Sequence, residues 1–242
     1  MRTIAFILFT SLFSFGLMSC EKDELSITPS GNVTTQNYSI ADFDQLVAED
    51  LFEVYVQFSD TEEDLVIEAD DNIQHLVEVN RRNGKLTIGL EKNVRIHGRQ
   101  PTLKAYLTTK DLNTIEGSGA VNLILENAWE ANNVDIELTG ASTMTGTIIA
   151  DQLDAFLTGA CSMNIEGSAH YFDIYADGAS HMSDTDFSCD YLEANLTGAS
   201  TVKVTVNREL DVDADGGSTV YYKGNGVITH QKLKGGSSII KR

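Results

Sequence analysis

The sequence predicts an all-β fold, a β-solenoid with coils of about 20 residues, on three observations. A glycine-centred motif, seen in full as "ELTGASTMTG" at residues 137–146, returns in the partial copies "FLTGACSMNIEG", "YADGASHMSD", "NLTGASTVKV" and "DADGGSTVYY". Its glycines are Gly119, Gly140, Gly159, Gly178, Gly198, Gly216 and Gly235, separated by 21, 19, 19, 20, 18 and 19 residues. Apolar residues fall in columns when the copies are aligned, and no segment carries a helical period. Leucine-rich repeats share the repeat length, but their Leu-x-x-Leu-x-Leu pattern and Asn column are absent here.

The columns define the strands. Six, four and two residues before the glycine stand Val134, Ile136, Leu138; Leu153, Ala155, Leu157; Phe172, Ile174, Ala176; Leu192, Ala194, Leu196; and Leu210, Val212, Ala214. The residues between them are mostly acidic or aromatic, so each segment alternates inward and outward as a half-buried strand requires. Four residues past the glycine, Met144, Met163, Met182, Val202 and Val220 form a second inward column. Each coil therefore has at least two short strands with the glycine corner between them. The residues after the glycine are small (Ala141, Ala160, Ala179 and Ala199; then Ser142, Cys161, Ser180, Ser200 and Ser218). A tight corner packed against its copies selects such residues. At about 4.8 Å per coil, seven coils make a prism roughly 34 Å long.

Residues 117–242 are assigned to these regular repeats and residues 31–116 to irregular N-terminal β-coils. The latter lack the glycine corner but keep short alternating runs, "LFEVYVQF", "DLVIEA", "LVEVN", "KLTIGL" and "LKAYLTT", separated by turn-forming stretches. Less regular coils of one solenoid and a small separate β-domain both fit this pattern.

The first twenty residues, "MRTIAFILFTSLFSFGLMSC", read as a lipoprotein signal peptide over residues 1–19, whose apolar run is too short to span a membrane. Its lipobox ends at Cys20, the expected lipidation site. Residues 20–30 form a lipidated acidic linker; the tag "EKDEL" resembles the signal that sends Bacteroidetes lipoproteins to the outer face of the outer membrane, and a solvated linker is the alternative. The chain has 36 acidic and 17 basic residues. Such a surface repels nucleic acid and anionic lipid, so membrane attachment is expected through the anchor alone, at the cell surface or the periplasmic face. Cys161 and Cys189 remain besides Cys20 and are expected buried and free.

The stretch "EVYVQFSDTEEDLVIEADDNIQHLVEVNRRNGKLTIGLEKN", followed by "IEGSGAVNL" and the run of "LTGAS" copies, resembles the auto-transporter adhesin head GIN domain family of exported Bacteroidetes proteins. The likeness covers nearly all of the chain after the lipobox. It implies a right-handed parallel β-helix and an adhesin-like, non-enzymatic role, with no catalytic residues and no cofactor to carry over.

Candidate sites are few. Ser142 is not in a Gly-x-Ser-x-Gly elbow, because Met144 stands where the second glycine belongs, and a nucleophile is rarely built five times. The five histidines share no metal-binding spacing, and no phosphate, zinc or EF-hand loop occurs. One column is acidic: Asp135, Asp154, Asp173, Glu193 and Asp211, each five residues before its glycine. Stacked carboxylates about 4.8 Å apart repel by about 0.9 kcal/mol per pair in water and about 3.5 kcal/mol at an effective dielectric of 20. Solvent and salt relieve this if the column is exposed; a row of weakly held Ca²⁺ ions is the alternative. Phe156 and Tyr175 on the outer side of one strand, with Tyr221 and Tyr222 past the last clear corner, are the candidate contacts for a glycan or protein ligand. A polysaccharide-acting β-helix enzyme and a purely structural envelope protein are the rival readings.

Overall fold

The computed structural model describes residues 25–183 and 186–242; the signal sequence and Cys20 lie outside them. Among the described residues 67% are in strands, wound into a β-solenoid of about seven turns of roughly 19 residues, and the one helical turn is a 3-10 turn at Gln74–Leu76. In chain order the strands are β1 (Leu25–Ile27), β2 (Val33–Tyr38), β3 (Gln45–Ala48), β4 (Glu53–Phe58), β5 (Asp64–Asp70), β6 (Val77–Arg82), β7 (Lys85–Leu90), β8 (Val94–Ile96), β9 (Leu103–Thr109), β10 (Thr114–Gly117) and β11 (Asn122–Leu125). The regular coils then run through β12 (Trp129–Gly140), β13 (Thr143–Gly159), β14 (Ser162–Gly178), β15 (His181–Met182), β16 (Phe187–Leu196), β17 (Thr201–Ala214), β18 (Thr219–Lys223), β19 (Val227–Leu233) and β20 (Ser238–Lys241).

The regular coils stack in parallel and in the register the glycines set. Val134 pairs with Leu153, Leu153 with Phe172, Phe172 with Leu192 and Leu192 with Leu210. These residues, with Met144, Met163, Met182, Val202 and Val220, are buried. Strands β13 and β14 each run 17 residues, and their inward–outward alternation breaks between Ala150 and Leu153 and between Ala169 and Phe172, where the pairing skips Asp151 and His170.

At the repeated corner glycine is required twice over. Gly178 has φ +78°, and a Cβ there would lie 2.4 Å from the carbonyl oxygen of Gly159 in the coil below; Gly140, Gly159, Gly198 and Gly216 repeat that 2.4 Å approach. The approach is close because the next residue's amide donates to the same carbonyl, as Ala179 N–H does to Gly159 at 2.7 Å. The following Ser column turns inward. Ser142, Ser200 and Ser218 are buried and donate to the carbonyls of Thr139, Thr197 and Asp215 at 2.9–3.0 Å, and Cys161 takes the same place with its thiol 3.4 Å from the Thr158 carbonyl.

The segment 31–116 departs from a simple succession of coils. Strands β3 and β4 form a coil that lies between β7 and β9 on one side and β10 and β11 on the other, all in parallel. Strands β5, β2 and β6 then pair antiparallel onto the outer edges. The β6–β7 hairpin turns at Asn83 (φ 52°) and Gly84 (φ 79°), the two positive angles of a type I′ turn. This antiparallel layer closes the stack at its N-terminal end, and one core runs from Phe43 to Tyr222 through both halves. Asp70, fully buried, ties the layer together by accepting from Gly31 N at 2.5 Å and Thr102 N at 2.7 Å. The β3–β4 coil has the repeated corner after all, with Asp50 in the glycine's place at φ 67°. Its carbonyl accepts from Ala120 N at 2.7 Å, and its carboxylate accepts from Leu90 N at 2.7 Å. No glycine corner lies beneath it, so a side chain fits.

Candidate binding face

The strand that precedes each corner presents three outward columns side by side. The middle one is the acidic ladder: Thr114, Asp135, Asp154, Asp173, Glu193, Asp211 and finally, across a register shift, His230. Toward the glycine corner lies the column Glu137, Phe156, Tyr175, Asn195, Asp213 and Lys232. On the other side lies Asn133, Gln152, Tyr171, Tyr191 and Glu209.

Stacking coils stack their aromatic side chains. The rings of Phe156 and Tyr175 are 4.7 Å apart and nearly parallel at 7°, and those of Tyr171 and Tyr191 are 5.1 Å apart at 17°. Asp173 thus sits between Tyr171 and Tyr175, one ring from each stack. A groove of about 350 Å³ runs beside the ladder, lined by Asp135, Asp154 and Asp173 on one side and by Glu137, Phe156, Tyr175 and Asn195 on the other. Phe156 and Tyr175 remain 42% and 37% exposed, which makes them the apolar wall of an open trough and not part of the core.

Burial, then the charge of Asp154 and a hydrogen bond with it, push the Asp135 carboxyl above the usual aspartate range. Burial, then the charges of Asp154 and Glu193, do the same to Asp173. The ladder's hydrogen-bond donors are amides: Gln152 Nε2 donates to both Asp154 oxygens at 3.2 and 3.0 Å, and Asn195 Nδ2 donates to Glu193 at 3.2 Å. At the C-terminal end, Asp211, Asp213 and His230 bring possible metal-ligand atoms within 4.8 Å of one another. There Lys232 Nζ already lies 3.1 Å from Asp213, so an ion would compete with a built-in cation.

One of the sequence-derived contacts needs correction. Tyr222 is buried, because it shares the inward parity of Val220 two residues earlier on β18. Tyr221 faces outward but stands outside the groove, with the Arg242 guanidinium 4.0 Å over its ring. Two others were missed. Tyr171 and Tyr191 stand seven residues before their glycines, the same odd offset as the ladder, so the alignment that revealed the acidic column carries them too. One place further, His170, Asp190 and Arg208 fall in one column of successive coils. Asp190 lies 3.0 Å from His170 Nδ1 and 3.3 Å from Arg208 Nε, and the guanidinium lies 5.8 Å from the Tyr191 ring centre.

Fold and face together define a class, a β-solenoid that carries an open surface built from side-chain ladders. The chain belongs to the family described as "Putative auto-transporter adhesin, head GIN domain", whose model matches residues 42–226. Among solved structures it is similar to a "putative adhesin" from Bacteroides fragilis, with 23% identity and a TM-score of 0.83 over 89% of this chain and 100% of that one. A "putative lipid binding protein" from Parabacteroides distasonis gives 19% identity and a TM-score of 0.72 over 90% and 99% of the two chains. A "putative adhesin" from Parabacteroides merdae gives 16% and 0.68 over 90% and 99%. At these identities the likeness is one of fold. No curated protein matches the sequence.

Proposed function

We propose that this chain is a non-enzymatic, adhesin-like protein of the cell envelope, anchored by lipid on Cys20, that holds a carbohydrate along the ladder face. The observation that carries the reading is the groove between the carboxylate ladder and the Phe156–Tyr175 wall, an open trough that suits a chain-like ligand better than a small molecule. Family membership supports the adhesive role. The repeated hydroxyls support the absence of a nucleophile, since Ser142, Ser200 and Ser218 are buried and bonded to backbone. Strand β1 begins five residues after Cys20, a tether of at most about 17 Å. It pairs with β8 beside the N-terminal layer, where His97 lies 2.9 Å from both Ser26 Oγ and Thr28 Oγ1. The capped end would then face the membrane and the last coil would point away from it.

The test is a glycan array probed with the full-length protein in detergent micelles, beside a palmitate-labelling experiment on parent and Cys20→Ala. Glycan binding that Phe156→Ala and Tyr175→Ala weaken, together with label lost from Cys20→Ala, is the expected result. Binding to no glycan, or binding that ignores both aromatic variants, would reject the site. The enzyme reading has one observation in its favour, the His170–Asp190–Arg208 column beside the tyrosines. Release of reducing or unsaturated ends from a bound polysaccharide, abolished by His170→Ala, would establish it.

A further inference from the structure

From the charge and shape of the groove we infer the class of carbohydrate: an amino-sugar chain with free amines, lying along the solenoid axis with its ammonium groups on the ladder. This rests on the carbohydrate reading above and sharpens it. The residues that line the groove include Asp135, Glu137, Asp154 and Asp173 and no lysine, arginine or histidine. Among the described residues none of these four carboxylates forms an ion pair. Uronic-acid and sulfated chains would meet like charge there, and an uncharged chain would leave the carboxylates' mutual repulsion in place. A row of ammonium groups removes it, and each charge-assisted contact is stronger than the amide bonds that Gln152 and Asn195 now supply. Burial and neighbouring charge raise both Asp135 and Asp173 above the usual aspartate range, as expected of carboxylates with no counter-ion beside them.

Spacing separates an amino sugar from the other cationic polymer of biology, a basic peptide. The carboxylates recur once per coil, about 4.8 Å apart, whereas same-side residues of an extended peptide recur every 6.6–6.8 Å or so. A lysine-bearing strand laid along the axis drifts out of step within two coils. Each unit of a β-1,4-linked pyranose chain advances by close to one coil and is flipped relative to the last, so same-side amines stay opposite alternate carboxylates while the C–H-lined rings lie against Phe156 and Tyr175. Both aromatic side chains are on the coils that supply Asp154 and Asp173.

The experiment is titration calorimetry on the full-length protein in detergent micelles, with short β-1,4-glucosamine oligomers, their fully N-acetylated counterparts and lysine oligomers of similar length. The expected result is binding of the glucosamine oligomer at least about tenfold tighter than either comparator, equivalent to about 1.4 kcal/mol, and weakening as salt rises. The double variant Asp154→Asn, Asp173→Asn should lose that preference while melting no lower than the parent, which separates loss of charge from loss of fold. Equal affinity for the acetylated and free oligomers would overturn the amine assignment and leave the carbohydrate reading standing. Tighter binding of lysine oligomers would overturn it in favour of a peptide, and no binding to any of the three would overturn it while the glycan array reports independently on the wider reading. A preference that survives the double variant would overturn the placement in this groove.

Discussion

Gly216 and Gly217 are adjacent, chemically identical and predicted to respond to alanine in opposite directions. Gly216 has φ +78°, and its Cβ would sit 2.4 Å from the Gly198 carbonyl oxygen. The left-handed backbone costs an L-residue about 1–2 kcal/mol. Relieving the clash requires the coils to separate by about 1 Å at this corner, which breaks or stretches the 2.7 Å bond from Gly217 N to Gly198 O and costs about 1 kcal/mol more. Gly216→Ala should therefore destabilise by about 2–4 kcal/mol and lower Tm by about 5–15 °C for a chain of this size. At Gly217 the nearest atom to an added Cβ is the same carbonyl oxygen at 3.9 Å, an ordinary contact, and the angle there is not left-handed. Four preceding coils carry alanine at this place, Ala141, Ala160, Ala179 and Ala199. Gly217→Ala should stabilise by about 0.4–1 kcal/mol, chiefly by restricting the unfolded chain, and raise Tm by about 1–4 °C. Thermal melts followed by far-ultraviolet circular dichroism measure both. A Gly216→Ala protein that melts within a degree of the parent, or a Gly217→Ala protein that melts well below it, would refute the corner geometry. Fluorescence of Trp129, the only tryptophan, reports from the opposite end of the regular stack. Coincidence of its transition with the dichroism melt would mean that the coils unfold as one unit.

Three further outcomes are expected. The Asp173 carboxyl is raised above its ordinary value of 3.8, so the folded state binds more protons than the unfolded one in the window above 3.8, and this group's contribution to stability falls as pH rises through that window. Asp173→Asn should accordingly raise Tm at pH 7 by about 1–2 °C, a surface-scale effect of about 0.5 kcal/mol, with the gain gone at pH values below 3.8; melts at the two pH values check it. Asp70→Ala removes the buried acceptor of the part-buried Gly31 and Thr102 amides and should cost about 1–3 kcal/mol, seen as a lower urea midpoint and faster proteolysis of the N-terminal layer, with Asp70→Asn milder because one acceptor survives. The Cys189 thiol is buried and pushed up to about 12, by burial first and the Asp190 charge second, and burial raises Cys161 as well. Ellman's reagent should leave both unreacted in the native protein at pH 8 and titrate them once the chain is denatured.

The regular coils were legible because a repeat is self-indexing: once the glycines are aligned, the inward and outward residues of the strand before each corner follow by parity. The ladder Asp135–Asp211 and the Phe156–Tyr175 pair came out of the same alignment. Tyr171 and Tyr191 were equally within reach and were passed over because they lie beyond the apolar triplet used to define the strand. The order of the N-terminal strands was not legible. Strands β3 and β4 lodge between partners far away in sequence, and that choice is made by non-local pairing with no repeated motif to mark it. Asp50 hid its coil by taking the corner conformation without glycine, which is possible only where no corner lies underneath. Tyr222 was misread because the parity established before the glycine was not carried through to the strand after it.

The glycine corner also fixes how this protein can change size. Since each corner locks onto the one beneath, differences in repeat length between coils, 18 to 21 residues, have to be absorbed elsewhere. The register breaks fall between Cys189 and Tyr191 and between Leu210 and Asp211, away from the glycines. A whole coil is thus the unit of growth: duplicating one lengthens the groove by about 4.8 Å and adds one carboxylate to its rim. Reach and valence of the face are set by the number of coils, and both can evolve in whole steps while the corner stays the same.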